Sequence, residues 1–163
     1  MNRNFEGVFI APTATVIGDA TIARGSSVWF GAVIRSDMAS IQIGRNTSVQ
    51  DNAVIHVRQG IETRIGDQVT IGHGAIVHGA QIDDDVLIGI GAIILDRARV
   101  GKGSIVGAGA VVTEAMQIPR RSLVLGVPGK VAKKVTPEQF QWIEANAKSY
   151  TELARRYLTS EQR

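Results

Sequence analysis

Isoleucine or valine stands at positions 10, 16, 22, 28 and 34, then at 43, 49 and 55, then at 65, 71 and 77, and finally at every sixth residue from 82 to 112. A step of six matches neither the 3.6-residue period of a helix nor the two-residue alternation of a flat strand. It fits a unit of one short strand and one corner, with the branched residue pointing inward. Four positions later a small residue fills the corner, as at Ala14, Ala20, Ser26, Ala32, Ala53, Ala75, Ala92, Ala98, Ser104 and Ala110. Three units make one triangular coil of about eighteen residues, and coils stacked at about 4.8 Å place each residue over the one a coil earlier. No unit can bury its apolar side alone, so the chain must stack into a parallel β-helix. Composition agrees, because 44% of residues are hydrophobic while only 5% are aromatic, with 18 glycines for the corners.

The chain therefore reads as a single, mainly β domain over 1–163, with coils at 10–115, an exit segment at 116–135 after the period stops at Val112, and a helix at 136–158. The helix begins at Thr136-Pro137-Glu138-Gln139, which supplies an N-cap threonine, a first-turn proline and a glutamine at the third position. Phe140, Ile143, Ala147, Tyr150, Ala154 and Tyr157 then form an apolar stripe that packs along a β-helix, its own or a neighbour's. No chemistry is assigned to it. Basic residues exceed acidic ones by only 18 to 15, without a basic tract, which argues against nucleic acid as a partner. No apolar run reaches the roughly 20 residues of a membrane span, and the opening MNRNFEGVF lacks a signal-peptide core. The absence of cysteine removes disulfides and thiolate metal sites and fits a cytoplasmic protein.

All three histidines, His56, His73 and His78, fall within one stretch. With a four-residue insertion placed at 61–64 and a three-residue insertion before Ile43, the repeat works as a ruler. It stacks Arg35, His56 and His78 in one column and sets Asp51 beneath His73 in another, with Gln50 beside Asp51. A face of about five extended residues is roughly 16 Å wide, whereas imidazole ligands lie about 2.1 Å from a shared ion. A single exposed histidine is ordinarily solvated surface, and one subunit cannot bring these three together. If they share a metal, the column of His56 and His78 must meet the column of His73 on another copy, as in a cyclic trimer. Leu95 above His78 and Ile90 above His73 would wall such a site with apolar side chains, suited to a small uncharged substrate. Three neutral imidazoles would leave a position open for water, the arrangement of a catalytic rather than a structural zinc site.

The units IGDATI, IGRNTS, IGDQVT, VGKGSI and VGAGAV resemble the hexapeptide repeat of left-handed parallel β-helix proteins. Within them, Arg35-Ser36-Asp37, Val49-Gln50-Asp51-Asn52, Ile55-His56 and the run Gly72 to Gly79 containing His73 and His78 resemble the motifs of the gamma-class carbonic anhydrases and their bacterial relatives. The resemblance implies a homotrimer in which His56 and His78 of one chain and His73 of the next bind zinc, or alternatively iron or cobalt. It implies that Gln50 hydrogen-bonds hydroxide or substrate, that Arg35, Asp37 and Asp51 form ion pairs near the site, and that carbon dioxide is hydrated to bicarbonate. The chain departs from the best-known member in having a short loop, Gln59 to Arg64, in place of a longer acidic one. Glu62 is the one acidic residue left there, and a loop glutamate of this kind is more often a solvated surface group than a proton relay; Met38 stands where an acidic side chain is usual, and Ser48 stands where many relatives have asparagine. Three alternatives stay open: a coenzyme A-dependent acyltransferase with one histidine as base, a thioester hydrolase, and a non-catalytic metal-binding trimer serving as scaffold. The segment Gly126-Val127-Pro128-Gly129-Lys130, common at the end of hexapeptide proteins, does not separate them.

Overall fold

A computed structural model describes residues 5–160 and shows a parallel β-helix closed along one side by a single helix. The first face stacks Phe9–Ile10, Ser27–Val28, Ser48–Val49, Thr70–Ile71, Leu87–Ile88, Ile105–Val106 and Ser122–Leu125 in that order. The second face carries the opening halves of Thr15–Ile22 and Val33–Ile43, then Val54–His56, Ile76–His78, Ile93–Ile94 and Val111–Val112. Their closing halves begin the third face, which continues through Thr63–Ile65, Gln81–Ile82, Arg99–Val100 and Gln117–Ile118. Two strands thus run unbroken around a corner. The register shifts there between Gly18 and Ala20, and a Cβ on Gly18, whose φ is +81°, would lie 1.7 Å from the Ser36 carbonyl oxygen. Only glycine fits that position.

The six-residue period describes the core. Ile34, Ile55, Val77, Ile94 and Val112 form one fully buried column, in which each side chain contributes about 1.5–3 kcal/mol by leaving water. The corner column of Ala32, Ala53, Ala75, Ala92 and Ala110 is buried as well, with space for a methyl group and little more. Two details differ from the sequence-based expectation. Parallel stacking does not stop after Val112: Ile118 and Val124 continue the six-residue step, pair in register with Val100 and Val106, and are 3% and 0% exposed. Pro119, Arg120 and Arg121 interrupt the composition there without interrupting the geometry. The insertion also lies earlier than 61–64, because Thr63–Ile65 pairs with Ile41–Ile43 and Thr63 is buried, donating its hydroxyl to the His56 carbonyl at 2.6 Å. The excursion is Arg58 to Ile61, pinched by an antiparallel bridge between those two residues.

After the last coil, Lys130–Lys134 returns antiparallel on Ser122–Leu125, and the helix Pro137–Ser160 follows. Its start is a reciprocal capping box: Gln139 N–H donates to Thr136 Oγ1 at 3.2 Å, and Thr136 N–H donates to Gln139 Oε1 at 3.1 Å. The apolar stripe packs on the chain's own first face. Ile143, fully buried, joins Leu87, Ile105 and Val135, while Tyr150, Ala154 and Tyr157 pack with Phe9 and Trp29. Among the described residues, no helix is long and apolar enough to cross a membrane.

Candidate functional site at two corners of the β-helix

The strand register places Arg35 beside His56 and His56 beside His78. The two imidazoles stack with ring centroids 5.0 Å apart and planes inclined by 58°. Each is tied to a carboxylate. His56 Nε2 lies 3.0 Å from Asp37 Oδ1, and Arg35 pairs with the other Asp37 oxygen. The hydrogen bond from His56, helped by the Arg35 charge against the opposing effect of burial, holds the Asp37 carboxyl below the usual carboxylate range. His78 Nδ1 lies 2.5 Å from Asp96 Oδ1, and Asp96 Oδ2 accepts from Arg58 at 3.1 Å. Burial alone would raise the Asp96 pKa, but the hydrogen bonds from His78 and Arg58 outweigh it and lower it. Because an ionised carboxylate only accepts, the facing imidazole nitrogen carries the proton. In the neutral ring a lone pair is then left on His56 Nδ1 and on His78 Nε2.

His73 lies at a different corner, past the strand Thr70–Ile71, and the pairing of Ile71 with Val49 sets it over Asp51. Its Nδ1 is 2.9 Å from Asp51 Oδ2, and its Nε2 is 3.5 Å from the Tyr150 hydroxyl of the helix. Burial and the negative charge of Asp51 push the Tyr150 phenol above its ordinary pKa. Beside His73 a groove of about 360 Å³ runs between the helix and the first face, walled by Leu87, Ile90, Ile105 and Trp142. Gln50 lines this groove and is 4% exposed. The Ser48 hydroxyl is buried without a hydrogen-bond partner among the described residues.

Within one chain, no three His, Cys, Asp or Glu side chains among the described residues converge closely enough to hold a metal ion. The chemistry of the donors nevertheless fits one. All three imidazoles are oriented by carboxylates through one nitrogen with the other left as acceptor, which is how metal-binding histidines are commonly held. The structure thus brings Arg35, Asp37, His56 and His78 together at one corner and Gln50, Asp51 and His73 together at another. Asp96 and Arg58 were not singled out in the sequence, and Tyr150 entered only as part of the apolar stripe of the helix. Asp96 was within reach of the repeat, since the pairing of Val77 with Ile94 puts it one residue past the position over His78. Glu62 is engaged in a surface pair with Arg64 at 2.8 Å.

Coils of this period, with imidazoles on their corners, define a hexapeptide-repeat β-helix protein, and residues 79–114 match the family described as bacterial transferase hexapeptide (six repeats). A Methanocaldococcus jannaschii protein named "Probable carbonic anhydrase" is 48% identical over 149 residues, covering 91% of this chain and 94% of that one. The mitochondrial gamma carbonic anhydrase 2 of Arabidopsis thaliana is 42% identical over 90% of this chain, which spans only 55% of that protein's length. Among solved structures, a hexapeptide transferase family protein from Anaplasma phagocytophilum superposes with a TM-score of 0.89 at 36% identity, covering 93% of this chain and 89% of the other. The chain belongs to the gamma-class carbonic-anhydrase-like family of left-handed hexapeptide-repeat β-helix proteins.

Proposed function

We propose that this protein is a metal-dependent carbonic anhydrase that hydrates carbon dioxide reversibly to bicarbonate, acting as a homotrimer with one site at each subunit interface. The observation that carries this reading is the division of the imidazoles: two stacked at one corner and the third at another, each oriented by its own carboxylate. His56 and His78 of one copy and His73 of the next would hold zinc, or iron(II) or cobalt(II) in its place. Such an ion lowers the pKa of bound water toward neutrality and so supplies a nucleophile for carbon dioxide. Asp37, Asp96 and Asp51 would fix the tautomers and ring orientations of the three ligands. Gln50, which lines the groove beside His73, would hydrogen-bond a substrate oxygen there, with Leu87 and Ile90 as the apolar wall. Arg35 would hold Asp37, and through it the His56 ring, in place.

The groove is considerably larger than carbon dioxide, and this favours one second reading, a transferase or hydrolase acting on acyl compounds. The two are separated by assaying carbon dioxide hydration on protein loaded with zinc and, without oxygen, with iron(II). Activity that disappears on chelation and returns with metal is expected. A metal-replete trimer with no hydration above background would exclude the carbonic anhydrase reading.

A further inference from the structure

The excursion Arg58 to Ile61 carries a side chain to the far side of His78. Arg58 leaves the coil just after His56, yet its guanidinium reaches Asp96 Oδ2 at 3.1 Å and approaches Glu114 Oε1 at 3.8 Å. Glu114 is in turn paired with Arg97 at 3.0 Å. The excursion is fixed for this by its own backbone, with Ile61 N–H donating to the Arg58 carbonyl at 2.9 Å and Arg58 N–H donating back at 3.3 Å. At the other end of the chain of contacts, Asp96 is only 13% exposed and meets His78 Nδ1 at 2.5 Å. The backbone next to His78 leaves space for this approach: a Cβ on Gly79, whose φ is +55°, would lie 2.4 Å from Asp96 Oδ1. A carboxylate between one imidazole and one guanidinium can keep both of its oxygens occupied and its orientation fixed.

We infer that Asp96 and Arg58 are positioning residues for His78, with Asp96 holding the imidazole in the tautomer that leaves Nε2 free and Arg58 holding Asp96 in place. The short excursion therefore serves the site through Arg58, by geometry. This rests on the metal site proposed above, but it makes a claim about the metal-free protein as well. In the fold, residues from three successive coils meet at one ring.

The test compares the full-length wild type with Asp96→Asn, Arg58→Ala and Arg58→Lys, using two readouts. Zinc affinity is measured by competition with a chelator of known affinity. Asp96→Asn should weaken it by about 10- to 100-fold. Arg58→Ala should weaken it by less, and Arg58→Lys, which keeps the charge, should recover part of that loss. The second readout is the nitrogen NMR spectrum of His78 in metal-free protein, which should show Nδ1 protonated in the wild type and a mixture of tautomers in Asp96→Asn. Unchanged zinc affinity in Asp96→Asn together with an unchanged His78 tautomer would overturn the inference. If the wild type itself binds no zinc, the metal-site reading fails, and the NMR comparison still decides whether Asp96 positions the ring.

Discussion

The two histidine corners of this β-helix are built from different materials. Around His56 and His78 the neighbours are charged, and four ionic groups, Asp37, Arg35, Asp96 and Arg58, form an ionic frame about two stacked rings. Around His73 there is one carboxylate, one phenol and a groove walled by apolar side chains. The first corner holds two imidazoles in a frame of charged side chains. The second offers an apolar wall and the Gln50 amide but only one imidazole. Each corner has what the other lacks, and in the proposed trimer two copies would assemble both requirements. The helix belongs to the second corner alone, since its capped start and buried Ile143 secure it over the first face, with Tyr150 beside His73.

Substitutions that act on one corner and spare the other make that contrast measurable. The largest effect is expected from Ile143→Ala. Removing a fully buried side chain between helix and coils should destabilise the fold by about 2–5 kcal/mol in denaturant titrations. It should loosen the packing at the His73 corner while leaving the ionic frame around His56 and His78 in place. A loss confined to a few tenths of that size would mean that the helix is not what shapes the groove. A smaller effect is expected from Gln50→Ala. Metal content should stay at the wild-type level while kcat/KM for carbon dioxide hydration falls by about 100-fold, the scale of losing one hydrogen-bond donor aimed at a reacting oxygen. A parallel fall in metal content would instead place Gln50 among the groups that hold the ion.

Much of this arrangement was legible in the chain because a β-helix turns sequence distance into spatial position. Once the step of six was seen, the stacking of Arg35, His56 and His78 followed by counting, and so did the placement of Asp51 beneath His73. The count failed where composition hid the geometry. Pro119 and the paired arginines obscured the continuation through Ile118 and Val124. The insertion was misplaced because Thr63 and Arg64 look like loop residues, although Thr63 is fully buried in a strand. What the repeat could not supply was side-chain reach. Arg58 meets Asp96 because a long side chain leaves the excursion across the coils, and Tyr150 meets His73 because the helix folds back on its own first face. Neither contact has a spacing that announces it.

The central claim is that the two corners complete one another across a subunit boundary. It is tested most directly by preparing His56→Ala and His73→Ala chains separately, confirming that each binds no metal, and then refolding them together. Mixed trimers contain interfaces where an intact His56 and His78 from one chain meet an intact His73 from the other. The account predicts that verified mixed trimers regain metal and carbon dioxide hydration at those interfaces. Verified mixed trimers that remain as metal-free as either parent would contradict it.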